Sequence, residues 1–180
     1  MRIGSLLLTL GVLLALAGCA PAASPPSSST PSATPVFASD AEALKAAETA
    51  YAAYLKVSDQ VAQDGWKDPS RLKPFARGEA LARDKATANQ FAAKSLTQVG
   101  STRYDSAKVE GVSERGRGMV VVTMYLCVDV SGVDVRGPDG TSVVPKDRQT
   151  RVPLEVDVDN FEETKMKVSR NDAWSGTDFC

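Results

Sequence analysis

The run Met119–Val130, MVVVTMYLCVDV, decides the fold class. In an extended chain successive side chains point to opposite faces. Val120, Val122, Met124, Leu126, Val128 and Val130 therefore share one face, and Met119, Val121, Thr123, Tyr125, Cys127 and Asp129 share the other. The first face is wholly apolar and belongs against a covering layer of helices. The second is mixed, which suits a partly open, concave surface of an antiparallel sheet.

Outward from this strand, Glu114-Arg115-Gly116-Arg117-Gly118 reads as a hairpin turn back to an alternating strand, Arg103 to Val112. The glycines there are too few, and lack the strand-to-helix context, for a phosphate loop. On the other side, Val133 and Val135 lead into a turn at Gly137-Pro138-Asp139-Gly140, followed by a short extended run Thr141 to Val144. Val152 to Val158 and Lys165 to Ser169 give two more strands, separated by Asn160 to Glu163.

Before the strands the period is helical. Ser39 with Glu42 three residues on is a capping box at the head of an Ala-rich run. Leu44, Ala47, Tyr51, Tyr54 and Leu55 keep helical spacing, and Gly65 is placed to end the helix, so a helix over 40–63 is expected. Asp68-Pro69 starts a short helical turn that includes Leu72 and Phe75. Leu81, Ala88, Phe91, Ala92, Leu96 and Val99 predict a second helix over 79–99, stopped at Gly100. Helices followed by four or more antiparallel strands make an α+β domain, with the N-terminal helices packed on one face of a curved sheet.

The chain has 180 residues, with 21 Lys and Arg against 22 Asp and Glu. That balance gives no basic field to draw in nucleic acid. Histidine is absent, which removes Ser-His-Asp and Cys-His catalytic units and the commonest metal ligand. The residues call for no metal and no cofactor.

Met1-Arg2 and the apolar run Ile3 to Ala17 form a charged start and a core too short for a membrane span. The run ends in Leu16-Ala17-Gly18-Cys19, which resembles the lipobox of bacterial lipoproteins. The resemblance implies a lipoprotein signal peptide over 1–18, cleavage before Cys19 and acylation of its thiol. The membrane is then the first partner, reached through that lipid, at the outer face of the cell membrane. Residues 19–37 are the lipidated cysteine and a Pro/Ser/Thr stalk, too poor in large apolar groups to fold. Residues 38–180 are the α+β domain.

With Cys19 taken by lipid, Cys127 and Cys180 remain, an even count in an oxidising place, and a disulfide between them is expected. Two unrelated thiols are the alternative. Trp174 and Phe179 flank the terminal cysteine and are expected to pack beside it.

The element order also resembles the nuclear-transport-factor-2-like cone fold, and more narrowly small actinobacterial cell-surface lipoproteins that carry such a domain. The resemblance covers roughly 38 to 180. It rests on the LAGC box, the Pro/Ser stalk, the Ala-rich helix and the Cys127-Val128-Asp129-Val130 strand. Cone folds leave a pocket between the sheet and the first helix, which would make Tyr51, Tyr54, Tyr125 and Asp129 its lining. The competing reading has the tyrosines as buried packing groups and Asp129 as a strand-end carboxylate facing water. The family has no common activity, so three functions are carried forward. One is non-catalytic binding of a partner protein or a small apolar ligand. Another is an isomerase or dehydratase with a carboxylate base and a tyrosine donor. The third is a structural subunit of an envelope complex, or a homodimer formed through the open sheet face.

Overall fold

The structure, a computed structural model, describes residues 35–161 and 165–180. The expected signal peptide, the lipid attachment at Cys19 and nearly all of the stalk lie outside the described residues.

Helix α1 spans Asp40–Gln63. Ser39 Oγ accepts the Glu42 N–H, and the Glu42 carboxylate accepts the Ala38 N–H at 2.8 Å. This is the expected capping box, with its return bond shifted to the residue before the cap. At the far end Gly65, φ +76°, lets the Gly65 and Trp66 N–H groups turn back to Ala62 and Val61 and close the last turn. A 3-10 turn at Pro69–Leu72 leads to helix α2, Gly78–Ala93.

Six strands follow: β1 Thr97–Val99, β2 Arg103–Glu114, β3 Val120–Asp129, β4 Asp134–Arg136, β5 Arg151–Asp159 and β6 Lys167–Ala173. Four form an antiparallel sheet in the order β2-β3-β5-β6, and β1 pairs with β4 in a small antiparallel ribbon. Register shifts in β2 and between β5 and β6 mark bulges, which bend and twist a sheet. The sheet does not close into a barrel.

Parity along β3 decides the packing. Val120, Val122, Met124 and Leu126 are fully buried, together with Val156, Val158 and Val168 from β5 and β6. Ala43 and Ala47 let α1 lie close to the sheet, and Tyr51 fills the space between them. A second cluster joins Ala62, Trp66, Ala88 and Leu96. The fold is helices on a curved antiparallel sheet, α+β.

Three boundaries depart from expectation. The second helix stops at Ala93 instead of running to Val99, because Ser95 takes φ +52° and the Ser95 and Leu96 N–H groups fold back onto Ala92 and Phe91. This is the same helix closure that Gly65 gives α1, here made by a serine, and it frees Thr97–Val99 to be a strand. The Thr141–Val144 run forms only one bridge, Ser142 to Arg136. The last strand is displaced to Lys167–Ala173, since Asn171 and Asp172 continue the ladder opposite Val156 and Glu155.

Candidate functional site

The two tyrosines of α1 come together with two polar groups from other elements. The Tyr51 and Tyr54 rings lie 5.8 Å apart, and Tyr104 of β2 meets Tyr51 edge-on at 5.1 Å. The Tyr51 hydroxyl donates to Asn171 Oδ1 of β6 at 3.4 Å, and Asn171 Nδ2 donates to the Tyr54 oxygen at 3.5 Å. The Tyr54 hydroxyl donates to both oxygens of Asp84 on α2, at 3.0 and 3.2 Å. Burial pushes both phenols well above their ordinary value. Burial also lifts Asp84 to about 6, against the lowering effects of the Tyr54 hydrogen bond and of Arg83.

Tyr125 and Asp129 are elsewhere. Both sit on the odd-numbered face of β3, with the sheet between them and the α1 tyrosines. Tyr125 packs on Trp174 at 4.9 Å and on Phe179 at 5.8 Å. Beside it Cys127 is bonded to Cys180, with their Cα atoms 5.6 Å apart. Asp129 accepts the Ser131 N–H at 2.8 Å and pairs with Arg103 at 3.1 Å. The bonds from Ser131 above all, and then Arg103, hold its carboxyl down at about 2.

The expectation that the four residues line one pocket is therefore corrected. Two fill the interior side of the sheet and two lie on the outer side, and the volume between α1 and the sheet is packed by Tyr51, Met124 and Leu126. A phenol beside a half-buried carboxylate is the right pair for proton transfer. Yet neither Tyr54 nor Asp84 lines any of the three surface cavities described next.

Two of those cavities are lined mainly by charged and polar residues. One, of about 830 Å³, lies around Asp64, Lys67, Asp68 and Arg71, and one of about 560 Å³ around Lys56, Asp59 and Arg103. Their carboxylates are already engaged: Asp64 with Arg71, Asp68 with Ser70, and Asp59 with Thr102 and Gln98. Among the described residues no group of three or more His, Cys, Asp or Glu side chains is placed to hold a metal ion.

The third is apolar. A groove of about 690 Å³ runs along α1, walled by Ala46, Ala50 and Ala53 on one side and by Phe37, Phe75 and Met166 on the other, with Lys45 and Lys165 at the rim. The wall opposite α1 comes from three places: the segment before α1, the segment joining the 3-10 turn to α2, and the segment before β6. Sequence reasoning did not single out Phe37, Phe75 or Met166 as binding residues. Their common signal is position, since each is a large apolar residue at an element end, outside any helix or strand stripe.

No helix among the described residues is long and apolar enough to cross a membrane. No protein-family model matches the sequence, and no curated protein matches it either. Solved structures resemble it. The intermembrane space region of the chloroplast protein ARC6 superposes with a TM-score of 0.52 at 12% identity, covering 74% of this chain and 97% of that one. A periplasmic fragment of TraM gives 0.42 at 11% identity, covering 72% and 98%. At such identity the first likeness speaks for the fold alone.

Proposed function

We propose that this chain is an extracytoplasmic lipoprotein, anchored through Cys19 to the outer face of the cell membrane. Its domain binds a small apolar ligand without catalysis in the groove between Phe37, Phe75 and Met166. The groove carries this reading: of the three cavities it has the most apolar lining, with two phenylalanines and a methionine in its wall, as ligand sites have. Location is supported by the Cys127–Cys180 bond, which belongs in an oxidising compartment, and by the lipobox resemblance. The fold neighbour from an intermembrane space agrees with it. Membership of the nuclear-transport-factor-2-like class, and kinship with small actinobacterial lipoproteins, belong to the same proposal.

A partner protein presenting apolar side chains, as in an envelope complex or a homodimer, is the second occupant to consider, because the groove is open along its length. Catalysis by Asp84 and Tyr54 ranks lower. The phenol is already spent on the carboxylate, and neither residue lines any of the three cavities. Two experiments test the proposal. Cys19→Ser should move the protein out of the membrane fraction. A thermal-shift screen with lipid-like and steroid-like compounds should stabilise the protein, by about 2.7 kcal/mol at a ligand concentration of 100 Kd. Ala50→Trp, which fills the groove, should abolish that gain. No stabilisation by any apolar compound would overturn the ligand reading.

A further inference from the structure

We infer that the Phe37–Phe75–Met166 groove takes a single-chain anionic lipid from the membrane, its alkyl chain along the apolar walls and its acidic headgroup between Lys45 and Lys165. This rests on the groove being a ligand site, as proposed above, and adds the chemistry of the ligand. The charge at the rim decides it. Lys45 and Lys165 make no ion pair among the described residues, and the one acidic side chain on the described lining, Glu42, is bound to the Ala38 N–H. An apolar floor with two unpaired cations at its edge is complementary to an amphiphile with a negative head. A neutral hydrocarbon would leave the cations unused, and a cationic amphiphile would be repelled.

The tether bears on the source. Phe37 sits where the preceding segment joins the domain, so the groove opens beside that junction. Sixteen residues separate Cys19 from Val36, a number that reaches about 50 Å at most in any polyproline-like chain. With the anchor at Cys19 proposed above, a membrane lipid is the amphiphile at highest local concentration.

The test uses the full-length protein in its own membranes, labelled with a diazirine-bearing pentadecanoic acid or with the corresponding neutral alcohol. Labelled peptides are then mapped by mass spectrometry. Acid labelling should concentrate on peptides containing Phe37, Ala50, Phe75 or Met166, at several times the yield of the alcohol. The Lys45→Glu/Lys165→Glu variant should lower the acid yield about tenfold, the effect of losing two surface charge contacts, and leave the alcohol yield unchanged. Both lysines are exposed, so the variant keeps its fold, which an unchanged circular dichroism spectrum checks. Equal labelling by acid and alcohol, or an acid yield indifferent to the lysines, would overturn the anionic assignment while leaving an apolar site. Absence of label in the groove, or label spread evenly over the chain, would remove the site and this inference together.

Discussion

The Tyr54 hydroxyl bridges both carboxylate oxygens of Asp84, tying the middle of α1 to α2 across 30 residues of sequence. Burial holds the Asp84 carboxyl up at about 6, above its ordinary value of 3.8. Between those values the folded chain keeps a proton that the unfolded chain has released. Its contribution to stability is therefore fully present below pH 4 and lost as pH rises through 6. Around Asp84 stand Arg83 on its own helix, Tyr51 and Tyr54 on α1 and Asn171 on β6, and Arg83 also pairs with Asp172. The carboxylates with depressed values, Asp105, Asp129, Asp134 and Asp139, act in the opposite sense and at lower pH. Asp84→Asn keeps an acceptor for Tyr54 and removes the titration. It should flatten the fall in unfolding free energy between pH 4 and 6.5 and gain at most about 3 kcal/mol at pH 7.5. Urea midpoints across that range check this, and parallel slopes in the two proteins would refute it.

The Cys127–Cys180 bond closes a separation of 53 residues, for which chain entropy gives about 4 kcal/mol. Cys180→Ser should lower the unfolding free energy by about 2–4 kcal/mol. It should also loosen Phe179 from Tyr125 and shift the emission of Trp174, which packs on the same ring. Cys127 is wholly buried, so Cys127→Ser should cost more, through a hydroxyl with no water to reach. Equal losses in the two variants would argue that the burial of Cys127 plays no part.

Gly100 lies in the turn between β1 and β2 at φ +84°, where an added Cβ would stand 1.9 Å from the Gly132 carbonyl oxygen. Gly100→Ala should destabilise by about 3 kcal/mol or more, since left-handed strain and a backbone clash add. Gly111→Ala in β2 meets nothing within 4 Å and serves as the control, with a change within about 0.5 kcal/mol. Denaturant midpoints of both variants decide it, and equal shifts would show that the close approach to Gly132 is relieved at no cost.

The parity of β3 was legible in the sequence because its even-numbered side chains are uniformly apolar, and Val120, Val122, Met124 and Leu126 are fully buried; the odd-numbered Cys127 is buried as well, at its disulfide. The same parity already placed Tyr125 and Asp129 away from the helices, against the single pocket that the cone-fold likeness implied. Gly65 announced the end of α1, whereas Ser95 ends α2 by the same geometry with a residue that carries no such signal. The strand Lys167–Ala173 was hard to see because its polar residues have partners elsewhere in the fold. Arg170 bonds Asp157 and Glu155, and Asn171 serves two tyrosines. The groove was invisible for another reason: its wall opposite α1 comes from three separated segments, and no periodicity links Phe37, Phe75 and Met166.

The bulges of β2 have a further effect at the margins of the sheet. Along β2 the register slips twice, and Ser106 takes φ +57°, so that margin is kinked rather than straight. The opposite margin, β6, is capped at Val168 by a parallel bridge to Ala76. Neither side offers a long flat row of unpaired amides on which another chain could lay down a strand. Open sheet edges are where chains pair and aggregate, and both margins here are interrupted. The two margins of the sheet are thus shielded by different means, one by its own kinks and the other by the segment that leads into α2.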